Sequence, residues 1–109
     1  MVIDFTKIDE IKLDNFKGGT EYVKMIKFVD ERNTIARISI PTGGSIGFHK
    51  HECDQEVMYI VSGKGILHEN DCDKQVFSGN STYCPQGESH SIRNEEKENL
   101  ELFIVITKF

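Results

Sequence analysis

The stretch GGSIGFHKHECDQEVMYIVSG, from Gly43 to Gly63, decides how the chain is read. It holds two of the four histidines, His49 and His51, and then a glutamate, Glu56, five residues after the second. In an extended strand successive side chains alternate faces, so His49 and His51 point one way while Phe48 and Lys50 point the other. Glu56 lies an odd number of residues beyond His51, and one unbroken strand would turn it away from both. A turn through Cys53, Asp54 and Gln55 removes the conflict and aims Glu56 at the two imidazoles. Neutral imidazoles and a carboxylate suit Fe, Mn, Zn, Ni or Cu as the divalent ion. Alone, however, an HxH pair on a strand is equally an ordinary surface or hydrogen-bonded pair.

A partner stretch, GNSTYCPQGESHSIRN from Gly79 to Asn94, adds His90. Its distance along the chain means that only a barrel or sandwich would bring it to the first three. The surrounding sequence supplies that structure. Strands are expected over Thr20–Val29, Thr34–Ile40, Ser45–Glu52, Glu56–Ser62, Gly65–Glu69, Gln75–Phe77, Ser81–Cys84, Ser89–Arg93 and Leu100–Thr107, from β-branched and aromatic content between turn residues. The polar run Glu69–Lys74 reads as a hairpin loop. Phe5–Phe16 is either a short helical turn or an edge strand. Frequent short strands with no long helical pattern indicate an all-β sandwich or barrel.

At 109 residues the chain is read as one domain, 1–109. A net charge of −5 with scattered Lys and Arg argues against a nucleic-acid partner. No apolar run reaches the length needed to span a bilayer, so no membrane partner is expected. The N-terminal MVIDFTKIDE lacks a signal-peptide pattern, and three cysteines without CxxC spacing suit a reduced compartment. Cytoplasmic localisation is the expectation. The last strand is apolar on both faces, with Leu100, Leu102, Ile104 and Ile106 opposite Phe103 and Val105. Burial on both sides is expected, the second by another copy in a homodimer.

The two stretches together resemble the cupins. That family's first motif, G(X)5HXH(X)3-4E(X)6G, fits as Gly43, His49, His51, Glu56 and Gly63, motif 1 spanning 43–63. Its second, G(X)5PXG(X)2H(X)3N, fits as Gly79, Pro85, Gly87, His90 and Asn94, motif 2 spanning 79–94. All fixed positions match, against a chance of roughly one in fifteen to twenty at each. The short spacer Lys64–Ser78 is similar to that of compact single-domain microbial members. The resemblance implies a jelly-roll (double-stranded β-helix) barrel. It also implies one divalent metal at His49, His51, Glu56 and His90, homodimerisation, and structural roles for Gly43, Gly63, Gly79, Gly87, Pro85 and Asn94.

Other residues invite smaller readings. His68 is the one histidine outside the motifs and is read as a surface or hydrogen-bonded residue. Cys53 is read as a turn residue rather than a thiolate ligand. Cys84 and Tyr83 either line the cavity or pack. Arg37 is read as solvated; facing inward it would meet a ligand's carboxylate or phosphate. Glu88 is either a general base or a loop charge. The function expected is that of a metal-dependent enzyme on a small organic substrate, of oxygenase, isomerase or decarboxylase type. The alternative is a non-catalytic module that holds a metal and a small ligand, and fold alone does not choose between them.

Overall fold

A computed structural model describes residues 1–109. Ten strands follow in chain order: β1 (Ile11–Asp14), β2 (Tyr22–Val29), β3 (Asn33–Ile40), β4 (Ser45–Lys50) and β5 (Asp54–Ser62), then β6 (Lys64–Glu69), β7 (Cys72–Phe77), β8 (Ser81–Cys84), β9 (Ser89–Arg93) and β10 (Leu100–Lys108). They form two antiparallel sheets, one of six strands in the order β1-β2-β3-β10-β5-β8 and one of four in the order β4-β9-β6-β7. The sheets face each other as a jelly-roll barrel, the all-β architecture that the strand pattern indicates and the particular form that the cupin resemblance implies. The region Phe5–Phe16 contains both structures the sequence left open, a 3-10 turn at Phe5–Lys7 and then β1. No helix is long and apolar enough to cross a membrane.

The core is the set of inward positions that the period-two pattern picks out. Val23 and Met25 of β2, Ala36, Ile38 and Ile40 of β3, Met58 and Ile60 of β5, and Leu100, Leu102 and Ile104 of β10 meet Ile46, Leu67, Val76 and Ile92 of the other sheet. Fully burying each such aliphatic side chain is worth about 1.5–3 kcal/mol before ordering entropy is charged against it. Arg37 lies on the outer face of β3, between Ile26 of β2 and Phe103 of β10. It is half-buried rather than solvated, and its Nε is enclosed without a hydrogen-bond partner.

Three local features differ from the sequence reading. Asp54 and Gln55 begin β5, so the turn that reorients Glu56 is Glu52–Cys53 alone. The run Glu69–Lys74 is a two-residue hairpin at Asn70–Asp71, both left-handed (φ 51° and 56°), and β7 starts at Cys72. Two left-handed central residues are what the tightest hairpin turn needs, and Asn and Asp tolerate that conformation. The third feature is a bulge in β4. Ile46 pairs with Ile92 and His49 with His90, so three steps along β4 match two along β9. The extra residue turns the alternation over: Ile46 is buried in the core, Phe48 is exposed, and His49 faces inward.

Gly47 sits at that bulge for a steric reason. A Cβ there would stand 2.2 Å from the Lys17 carbonyl oxygen, and one at Gly19 would stand 2.2 Å from that of Ser45. The two glycines let the corner Phe16–Gly18 lie directly against β4.

Candidate metal centre

His49 and His90 are direct cross-strand partners on β4 and β9. His51 follows the end of β4, and Glu56 is the third residue of β5, in the opposite sheet. The site therefore bridges the two sheets. Motif 2 contributes more than its histidine. Its Pro85–Glu88 turn pairs with the His51 backbone, Gly87 N–H donating to the His51 carbonyl (2.7 Å) and His51 N–H to the Glu88 carbonyl (2.9 Å). Glu88 itself is exposed and absent from the cavity lining, so its role in the fold is carried by its carbonyl. Asn94 is buried and bonds backbone: its amide nitrogen donates to the carbonyls of Ile40 (3.0 Å) and Glu98 (2.8 Å). Gly43, Gly63, Gly79 and Gly87 all have positive φ, as turn residues of the motifs should.

The ligand-capable atoms of His49, His51, Glu56 and His90 lie within 4.8 Å of one another. The Nε2 atoms of His49 and His51 are 3.1 Å apart, as are those of His51 and His90. The Glu56 carboxylate oxygen Oε1 stands 2.8 Å from His90 Nε2 and 3.3 Å from His51 Nε2. The remaining ring nitrogens fix the tautomers. His49 Nδ1 donates to the Gly47 carbonyl at 2.7 Å, and His51 Nδ1 donates to Asp54 at 2.6 Å. A carbonyl can only accept, so neutral His49 carries its proton on Nδ1, and the Asp54 carboxylate imposes the same on His51. Their bare Nε2 lone pairs then face each other with no proton between them. A cation resolves that arrangement, and the donor set of three imidazoles and one carboxylate is the chemistry a divalent transition metal takes. With bonds of about 2.1 Å, nitrogens would stand roughly 3.0 Å apart at right angles and roughly 3.4 Å apart at the tetrahedral angle. The observed spacing is compatible with a metal between them.

Charge points the same way. Burial pushes the Glu56 carboxyl up, but the His51 and His90 contacts outweigh it and hold the group at about 2. Burial and the neighbouring imidazoles push His49 down, keeping it neutral, while Glu56 and then Asp54 raise His51 against the opposing effect of burial. A buried, ionised carboxylate beside an imidazole held neutral is a site prepared for a positive ion.

A cavity of about 300 Å³ opens onto this set, its wall including His49, His51 and Glu56. Leu13, Phe16, Met25, Ile38, Ile46, Ile104 and Ile106 make it apolar, and Lys17, Lys27 and Lys50 also line it. A shallower depression of about 500 Å³ on the outside of the four-stranded sheet is lined by Phe48, Ser91 and Arg93 and includes none of the four.

The other residues that the sequence singles out lie elsewhere. Cys84 is buried beside Glu56 in register, outside the cavity lining, and burial pushes its thiol up to about 11. Tyr83 faces outward and donates to Gln55 Oε1 at 3.0 Å. Cys53 is exposed. His68 hydrogen-bonds Asp73 at 2.7 Å and meets the Phe48 ring edge-on, apart from the site. Asp54 was missed as a site residue. The signal for it was present, since a carboxylate three residues beyond a candidate histidine is within reach of that ring's second nitrogen.

Comparison with known proteins places the fold. A Thermotoga maritima protein named "Oxalate-binding protein" is 34% identical over 97% of this chain and 93% of its own length. The crystal structure of a Thermotoga maritima protein described as a predicted oxalate decarboxylase superposes with a TM-score of 0.93 at 33% identity, covering 100% of both chains. The cupin domain of Schizosaccharomyces pombe Cnp3 shares the fold alone, with a TM-score of 0.80 at 14% identity over 100% of this chain and 74% of that one. The pattern described as "Cupin domain" matches residues 36–106, which take in both histidine stretches and the strands that carry them, and the chain belongs to the cupin family.

Proposed function

We propose that this cupin holds one divalent metal ion at His49, His51, Glu56 and His90 and acts on a small organic acid bound there. The observation that carries the reading is the coincidence of the two features: the one cavity that reaches the His–Glu set has three of those four residues in its wall. Four protein donors would leave a metal that accepts five or six ligands able to take a small molecule as well, and the cavity beside them would hold it. The names of the Thermotoga maritima relatives support a carboxylate ligand and suggest oxalate as the first compound to test.

A divalent ion in this site would supply Lewis acidity toward carboxylate oxygens or, as iron, a centre for oxygen chemistry. The chain does the rest. Glu56 offsets part of the positive charge, the Gly47 carbonyl and Asp54 hold two rings in the binding tautomer, and the aliphatic wall keeps bulk water from the ligand. Oxygenase, isomerase or decarboxylase chemistry all fit that frame. A second reading, binding without turnover, is favoured by one observation. Apart from the His–Glu set and Asp54, which is engaged with His51, lysines are the only titratable side chains in the cavity wall.

Metal analysis of the purified protein and a turnover assay on oxalate test both. The protein is expected to carry close to one metal ion per chain, and His49→Ala or Glu56→Gln to lose it together with oxalate binding. Retention of metal in both variants would overturn the assignment. Consumption of oxalate would select the enzyme, and metal-dependent binding without consumption the holding module.

A further inference from the structure

Beyond the His–Glu set, Asp54 and Thr34, the polar residues lining the cavity are three lysines, all exposed, on a chain whose net charge is −5. Lys27 shares the inward face of β2 with the buried Val23 and Met25. β1 pairs with β2 only as far as Met25, and Lys27, past the end of that pairing, is exposed. Lys50 ends β4 between His49 and His51, and although alternation starts it toward the outer face, it is exposed and belongs to the same cavity lining. Lys17 is held by the corner that packs on Gly47, and its backbone is left-handed at φ 56° between Asn15 at 49° and Gly18 at 79°. A lysine costs about 1–2 kcal/mol in that conformation, so the fold keeps it there at a cost.

None of the three lysines forms an ion pair within the chain. Lys17 only lies over the neighbouring Phe16 ring, 5.6 Å from its centroid. The ion pairs of Lys12 and Lys74 lie elsewhere, with Asp14 and Glu69. Three exposed lysines without an ion pair in the lining of one cavity concentrate anions locally, against the overall charge of the molecule. A charged rim above a low-dielectric wall also strengthens each contact made beneath it.

We propose that Lys17, Lys27 and Lys50 form a cationic collar that selects anionic over neutral ligands for the His–Glu centre, Lys27 being its principal member. The collar rests on the proposed function, because it presupposes that a small acid binds at that centre. It adds what that reading lacks, a determinant of charge selectivity drawn from residues outside the ligand set. The cavity volume, near the low end for ligand pockets, restricts the anion to a small one.

Calorimetric titration of the metal-bearing full chain with oxalate, malonate and the neutral analogue oxamide tests the collar, metal content being measured on each sample. Wild type is expected to bind at least one of the two acids and to discriminate against oxamide, with affinity falling as salt rises. Lys27→Met should weaken acid binding by roughly tenfold and the triple Lys17→Met, Lys27→Met, Lys50→Met variant by up to about a hundredfold, metal content staying at the wild-type level. Lys27→Arg should recover most of the affinity. If the triple variant keeps its metal and binds acid within about twofold of wild type, the collar falls while the acid-binding reading stands. If metal-bearing wild type binds neither acid, or binds oxamide equally well, the collar is overturned; in the first case the acid-binding reading goes with it.

Discussion

At the scale of single residues, Asp54 is the informative position. Its carboxylate accepts from His51 Nδ1 at 2.6 Å, while Nε2 of the same ring points at the other ligand-capable atoms. A carboxylate behind an imidazole fixes the tautomer and raises the basicity of the far nitrogen, and losing such a partner costs about 10- to 100-fold in metal affinity. Asp54→Ala is therefore expected to weaken metal binding by that order, with Asp54→Asn between it and wild type because an amide oxygen still accepts. Competition against a chromogenic chelator measures it, with circular dichroism to establish that both variants are folded. Unchanged affinity in Asp54→Ala would show that His51 is oriented by its backbone clamp alone. That clamp is real, since the Pro85–Glu88 turn makes two hydrogen bonds to His51 main chain.

At the scale of elements, the bulge in β4 decides whether His49 faces the barrel. Strand parity alone puts Ile46 on the face opposite His49, yet Ile46 is buried in the core and His49 faces the centre. The extra residue that reconciles them depends on Gly47, whose missing side chain admits the Lys17 carbonyl. Gly47→Ala is expected to destabilise the fold by about 1–3 kcal/mol, the usual cost of overpacking, and to displace the Phe16–Lys17 corner. Denaturant unfolding measures the first effect, and weakened acid binding with metal retained would report the second. A variant as stable as wild type would mean that the corner does not bear on β4. This bulge was not legible in the sequence, because it answers to a contact from residues nearly thirty positions away. The start of β7 was hidden for a different reason: Cys72, Asp73, Lys74 and Gln75 are all exposed, and a strand with no buried face has no period-two signal. The turn glycines and the facing of β5 were legible in the local pattern. The motif glycines sit at left-handed turns, β5 has Glu56, Met58 and Ile60 on its inner face, and the four ligand-capable residues meet in one place.

At the scale of the whole molecule, the outer face of the six-stranded sheet remains to be explained. Register aligns Phe28, Ile35, Val105, Val57 and Tyr83 side by side across β2, β3, β10, β5 and β8. Tyr59 and Phe103 pair in the neighbouring row. Phe5 from the N-terminal turn covers part of this surface, its ring 6.4 Å from that of Phe103. The final strand is thus shielded on its second face partly by its own chain, where the sequence suggested another subunit. The cover stops short of β5 and β8: Val57 is 42% exposed, Tyr59 46% and Tyr83 55%. Contiguous apolar surface of this kind on a small protein marks an association site. An apolar strip crossing the strands can meet its own copy about a two-fold axis, the commonest symmetry for a homodimer. Light scattering at micromolar concentration is expected to give twice the mass of the chain. Val57→Glu, in the middle of the strip and on the face away from the His–Glu centre, should give the monomer while retaining metal. A monomeric wild type would refute the dimer, and a Val57→Glu protein that still dimerises would move the interface to another face.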